Sequence, residues 1–224
     1  MSTTKKTLFL SYILDKDSPS YGNRDKLILH KKSSIENGDA ANNTFFSSTT
    51  HIGTHMDMPY HFHENGQTIE DYPPDFWFFS SPQFIEINPQ NKVVCDELIE
   101  KIDILENKNC DILIVKTGSC YHRNKLSYAT ENIGFHPKLH LNILNKFPNI
   151  KVFGFDSISI SSFTDRMLGR EAHRSFLNPE RPIILLEDMD LSNISETTNI
   201  KEIIIAPLQI RKSDGIPCTV YAKI

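Results

Sequence analysis

Apolar and polar positions change their rhythm along this chain. The first third carries short runs of aromatic, β-branched and aliphatic residues, TLFLSYIL (7–14) and NTFFSSTT (43–50). They are separated by the turn-rich stretches DKDSPSYGNRD and SSIENGDAANN, and they predict strands. Beyond residue 80 longer elements alternate. QFIEI (83–87) predicts a strand, and residues 95–105 predict a helix with Leu98, Ile99, Ile102 and Leu105 at helical spacing. CDILIVKTG is an unbroken apolar run that stops at Thr117-Gly118, as a buried strand does. Pro137 opens a helix over 137–147, which Pro148-Asn149 closes. KVFGFD (151–156), PIILLEDMDL (182–191) and EIIIAPLQI (202–210) predict further strands, with a short helix at 166–177 between the first two. Strands alternating with helices predict one α/β domain over residues 1–224, built on a largely buried mixed sheet.

A period of two runs through HIGTHMDMPYHF, His51 to Phe62. In an extended chain alternate side chains share a face. The odd positions are His51, Gly53, His55, Asp57, Pro59 and His61; the even ones are Ile52, Thr54, Met56, Met58, Tyr60 and Phe62. The pattern predicts an extended ledge, with metal-ligand chemistry on one face and packing on the other. Gly53 and Pro59 oppose a helix, and no glutamate follows His51, so the helical zinc-protease signature is absent. Gly53 leaves room for a ligand, and Pro59 is expected to end ladder pairing and bend His61 off the ideal face. Imidazole and carboxylate donors on one short segment suit Zn²⁺ or Mn²⁺, and the two oxygens of Asp57 allow it to bridge two ions.

Charge and cysteine usage narrow the partners. Lys plus Arg number 24 against 28 for Asp plus Glu, a formal charge of −4 with no basic block. A nucleic-acid or anionic-membrane partner held by bulk charge is therefore not expected. Lys31-Lys32 reads as a solvated loop. Cysteines at 95, 110, 120 and 218 lack the two-residue spacing of a redox motif, which predicts packing thiols in a reduced, cytoplasmic protein. The apolar run after Lys5 and Lys6 is short, contains Ser11 and Tyr12, and ends at Asp15-Lys16-Asp17; it reads as a first strand rather than a signal peptide. No run approaches the length of a transmembrane helix.

The segment His51–Phe62 resembles the His-x-Gly-Thr-His-x-Asp-x-Pro-x-His motif of the metal-dependent cyclase-like hydrolases, which include bacterial kynurenine formamidase and isatin hydrolase. LSYILDKDSPSYG, GQTIEDYP, DILIVKTG, KVFGFDSISI, EAHRSFL, PIILLEDMDL and APLQIRKSDGIPCTVYA follow in the family's order. The resemblance implies a cyclase/kynurenine formamidase-like fold of the swivelling β/α type, a mixed sheet with flanking helices. It implies a first metal on His51, His55 and Asp57, with Asp57 bridging to a second completed by His173 and Glu187. His61 would be the general acid/base. One or two Zn²⁺ ions, or Mn²⁺, a small-molecule substrate and a homodimer or homotetramer complete the expectation.

The implied reaction is hydrolysis of a non-peptide C–N bond in a formamide, lactam or cyclic amide. An inactive metal-binding scaffold and a ring-closing enzyme are the alternatives. The chain departs from the family at NPERP, at SISISSFTD, and at DGIPCT, where Gly-Ser-Pro followed by Arg is usual; the last two lie where substrate contacts are expected. His136 and His140 read as helix-start residues, His63 as rim, and Asp156 as a loop cap or a group that orients a ligand. The aromatic run Phe76, Trp77, Phe78 and Phe79 reads as packing rather than a substrate wall.

Overall fold

The unbroken apolar runs form the parallel half of the main sheet. In this computed structural model, which describes residues 6–224, strands Pro82–Glu86, Ile112–Lys116, Val152–Phe155 and Ile184–Glu187 lie side by side in that order and all parallel. Residues 1–5 of the expected domain, including Lys5 ahead of the first apolar run, lie outside the described residues. The middle strands are buried on both faces, so they show no alternation in sequence. On one face Leu113, Val115, Phe153 and Leu185 pack under helices Asp96–Asp103, Lys138–Lys146 and Arg166–Phe176. On the other, Ile112, Ile114, Val152 and Leu186 meet Met56, Met58 and the antiparallel half of the sheet.

That half begins with His55–Asp57, which pairs antiparallel with Ile184–Glu187 on one side and Gly215–Lys223 on the other. Glu202–Pro207, Phe78–Phe79 and Thr7–Phe9 extend it. The expected mixed α/β sheet with flanking helices is present. Its parallel and antiparallel halves meet at the strand that carries the histidine motif.

Several elements differ from the expectation. The first strand stops at Phe9; Ser11 makes one isolated bridge to Met189. Lys31 and Lys32 are exposed as expected but sit in a strand, Ile28–Ser33, paired with Asn43–Ser47 in a separate hairpin. Ile28, Phe45 and Phe46 of that hairpin are exposed, and among the described residues no other strand pairs with it. Trp77 and Phe79 are buried in the second core and Phe76 packs against it, while Phe78 is exposed; the run is chiefly packing. All four cysteines are free. No helix among the described residues is long and apolar enough to cross a membrane.

A buried ion pair closes the end of the Ile184–Glu187 strand. Asp188 takes a left-handed backbone (φ 52°), a conformation an aspartate tolerates better than most residues. Its carboxylate accepts from Arg123 Nε at 2.8 Å and Nη2 at 2.7 Å, and from the Tyr128 hydroxyl. Removing one partner of such a pair strands the other charge in low dielectric. Arg123→Ala is therefore expected to cost about 3–5 kcal/mol of stability, measurable as a lower denaturation midpoint at unchanged slope.

Candidate metal centre

The motif is less extended than its period of two suggests. Only His55–Asp57 is strand; Gly53 takes φ +63°, and Pro59–His61 is a single 3-10 turn. The packing face holds in part: Ile52, Thr54, Met56 and Met58 are buried, but so are Gly53, His55, Asp57 and Pro59 of the other face, while Tyr60 and Phe62 are only half-buried. The two breaks curl the ligand face. They bring His51 and His61 back over Asp57 instead of leaving them strung along a strand. Room for the His51 ring comes from Gly215, opposite Asp57 in the neighbouring strand, where any Cβ would collide with the imidazole.

All five expected ligands converge. His51 Nδ1 lies 2.8 Å from Asp57 Oδ1, and His55 Nε2 lies 3.3 Å from the same oxygen. The other oxygen, Oδ2, lies 3.3 Å from His173 Nε2, which is 3.9 Å from Glu187 Oε1. His55 Nε2 is also 3.5 Å from Glu187 Oε2. Ligand atoms around a tetrahedral ion with bonds near 2.1 Å stand roughly 3.4 Å apart. The ligand atoms that lie within 4.8 Å of one another group as His51, Asp57 and His61 and as His55, Asp57 and Glu187, so Asp57 is common to both groups and His55 stands nearer Glu187 than the expected division places it.

The backbone fixes which nitrogen of each imidazole faces inward. His55 Nδ1 donates to Gly53 O at 2.7 Å and His173 Nδ1 to Gly169 O at 2.9 Å. Both Nε2 atoms then point lone pairs at carboxylate oxygens. Such facing acceptors repel unless a cation lies between them, so the donor set fits a divalent metal. His173 arrives on helix Arg166–Phe176, capped by the Asp165 side chain, and Glu187 ends its parallel strand directly opposite His55. The NPERP departure only lengthens the turn between helix and strand.

Electrostatics without a metal show how tightly the charges are coupled. Burial penalises the charged form of Asp57, yet its imidazole neighbours outweigh that penalty and hold it well below the carboxylate range. Glu187 is pushed well above that range by burial and by Asp57. Burial lowers His51, but Asp57 and Asp214 on either side overcome this and lift it to about 10.

Asp214 is the residue that sequence reasoning missed. One of its oxygens, Oδ2, lies 2.9 Å from His51 Nε2 and 3.0 Å from His61 Nδ1, and hydrogen bonds from both rings hold its pKa far below the usual range. The only signal was indirect: Asp214 opens DGIPCT, the stretch where the chain departs from the family pattern. His61 lies close enough to His51 and Asp57 to join a ligand set as well.

The remaining candidates fall away from the centre. His140 Nε2 bonds Arg181 O, His136 Nδ1 accepts from Lys138 N at a helix start, and His63 bonds Arg174 O. Asp156 caps the loop after Lys116 by accepting from the backbone of Thr117 and Cys120, and orients no ligand. A cavity of about 250 Å³ opens over the centre, with Phe62 and Ile158 as apolar wall.

Comparisons with known proteins bear on the family and the fold. Residues 8–162 match the Cyclase family model, described as "Putative cyclase". Cyclase-like protein 2 of Arabidopsis thaliana is 24% identical over 216 residues, covering 93% of this chain and 75% of that protein. Kynurenine formamidase of Geobacillus thermodenitrificans is 26% identical over 171 residues, covering 75% of this chain and 74% of that protein. Isatin hydrolase A from Labrenzia aggregata, solved with benzyl benzoate, superposes with a TM-score of 0.81 at 18% identity, over 98% of this chain and 94% of that one.

Proposed function

The chain belongs to the cyclase family, and from that premise we propose that it is a metal-dependent hydrolase of a non-peptide C–N bond in a formamide, such as N-formylkynurenine, or in a lactam or cyclic amide. One observation carries the reading. Each oxygen of Asp57 faces the Nε2 of an imidazole whose other nitrogen is already committed to a backbone carbonyl. Kynurenine formamidases and an isatin hydrolase among the similar proteins support the choice of bond.

A bound Zn²⁺ or Mn²⁺ supplies Lewis acidity and lowers the pKa of a water toward neutrality. His51, His55 and Asp57 would hold one ion; Asp57, His173 and Glu187 would hold a second. The protein's own groups do the rest. Half-buried beside the centre, His61 carries a proton to the leaving nitrogen. Asp214 orients His61 through Nδ1, as a carboxylate does for a catalytic imidazole. Phe62, stacked on the His173 ring at 4.4 Å, shields one side of the centre from water.

Metal analysis combined with a panel of formamide, lactam and ester substrates tests the proposal. Turnover should vanish on chelation and return with added Zn²⁺ or Mn²⁺. A protein that purifies without metal, or turnover indifferent to chelation, overturns it. A smaller effect is expected at Asp214. Carboxylates that orient metal-bound imidazoles typically contribute ~10–100-fold in metal affinity. Asp214→Asn should weaken metal binding by about that factor in a competition titration against a chromogenic chelator.

A further inference from the structure

The helix that delivers His173 also presents two arginines to the same cavity. Arg166, Arg170 and His173 are spaced by four and three residues, so they share one face of helix Arg166–Phe176. All three line the 250 Å³ space over the metal centre. Arg123 is paired with Asp188, but Arg166 and Arg170 have no carboxylate partner among the described residues. Arg170 meets the Met167 sulfur at 3.6 Å, and the Arg166 guanidinium lies 5.8 Å from the Phe163 ring centre and beside the Tyr21 hydroxyl.

Helix stability does not explain this placement. Arg166 is the first residue of the helix, where the macrodipole disfavours a cation, and the carboxylate at that end, the Asp165 cap, is bonded to Leu168 N. A local conflict of this kind points to a requirement outside the helix. The cavity supplies one: carboxylates at its floor, Phe62 and Ile158 along its wall, and two guanidiniums with no carboxylate partner among the described residues at its rim.

We propose that Arg166 and Arg170 bind a carboxylate carried by the substrate itself, so that the preferred substrate is a small, partly apolar amide bearing an acid group. This rests on the hydrolase reading for the word substrate, but binding can be tested without turnover. Guanidinium groups recognise carboxylates through charge-assisted, often bidentate hydrogen bonds. Two of them at a cavity rim should favour a carboxylate over a neutral isostere by about 10–100-fold.

Two measurements on the metal-loaded protein test it. In the first, kcat/KM for N-formylanthranilate is compared with that for formanilide, its neutral counterpart. In the second, the dissociation constants of benzoate and benzamide are compared by calorimetry, at two salt concentrations. Wild type should prefer the acid in both, and the preference should shrink at high salt. In Arg166→Gln/Arg170→Gln, with folding verified by circular dichroism, both ratios should fall toward one. If the double variant keeps the wild-type ratios, or wild type shows no preference for benzoate, the proposal is wrong. A protein that prefers benzoate through these arginines yet hydrolyses neither amide would leave the anion site standing and remove the hydrolase reading.

Discussion

Asp57→Asn should abolish stable metal loading and lower amide hydrolysis by roughly 10³-fold or more, since a bound metal contributes several kcal/mol of transition-state stabilisation. The size follows from the position of one carboxylate. Asp57 is fully buried and faces His51 and His55 with one oxygen and His173 with the other. Asparagine keeps the shape but removes the charge and one acceptor. Its amide group, turned either way, offers an oxygen to only one of the two ligand sets. The other set loses its shared donor and receives an NH₂ group in its place. Both sets should therefore suffer.

The measurement is metal content after gel filtration, with thermal unfolding at graded Zn²⁺. Ligand at 100 times its dissociation constant stabilises a folded protein by ~2.7 kcal/mol. Wild type should show a rising midpoint with metal and Asp57→Asn should show almost none. An asparagine variant that retains full metal occupancy would refute the bridging role.

His61→Ala is the second large effect: about 10²–10⁴-fold lower turnover, the usual contribution of a general acid/base, with metal content retained. The ring stands 3.0 Å from Asp214 and in contact with the His51 ring, 4.1 Å between centroids, at the end of the turn that Pro59 starts. His61 also lies near enough to His51 and Asp57 to serve as a ligand. The variant separates the two roles. Lost turnover with the ion still present identifies a proton carrier; loss of the ion along with turnover identifies a ligand. Unchanged turnover on every amide tried would exclude both roles.

The period of two in HIGTHMDMPYHF picked out Ile52, Met56 and Met58 as packing residues, because their burial needs only alternation about a short strand, but past Pro59 the period fails and Phe62 lines the cavity instead. The parallel strands were legible for a related reason. A strand covered on both faces must be apolar throughout, and ILIV at 112–115 and VF at 152–153 are. The exposed hairpin at 28–47 was only half legible. Its Lys31 and Lys32 face solvent on a strand that no core organises, so composition resembled a loop.

His51, His55, Asp57 and His61 were legible as chemistry because they crowd one short segment, and the family resemblance supplied His173 and Glu187. Their convergence was a different matter. Glu187 meets His55 because an antiparallel register places them opposite each other, and His173 reaches Asp57 because its helix packs over that sheet. Asp214 lies 163 residues from His51 and touches it where Gly215, lacking a Cβ, leaves room for the His51 ring. Local sequence determines which residues can bind a metal, since that depends on the atoms each side chain carries. Which of them stand close enough to share an ion, and which carboxylate reaches both His51 and His61, were decided by strand register and by the missing Cβ of one glycine, and neither leaves a local period to read.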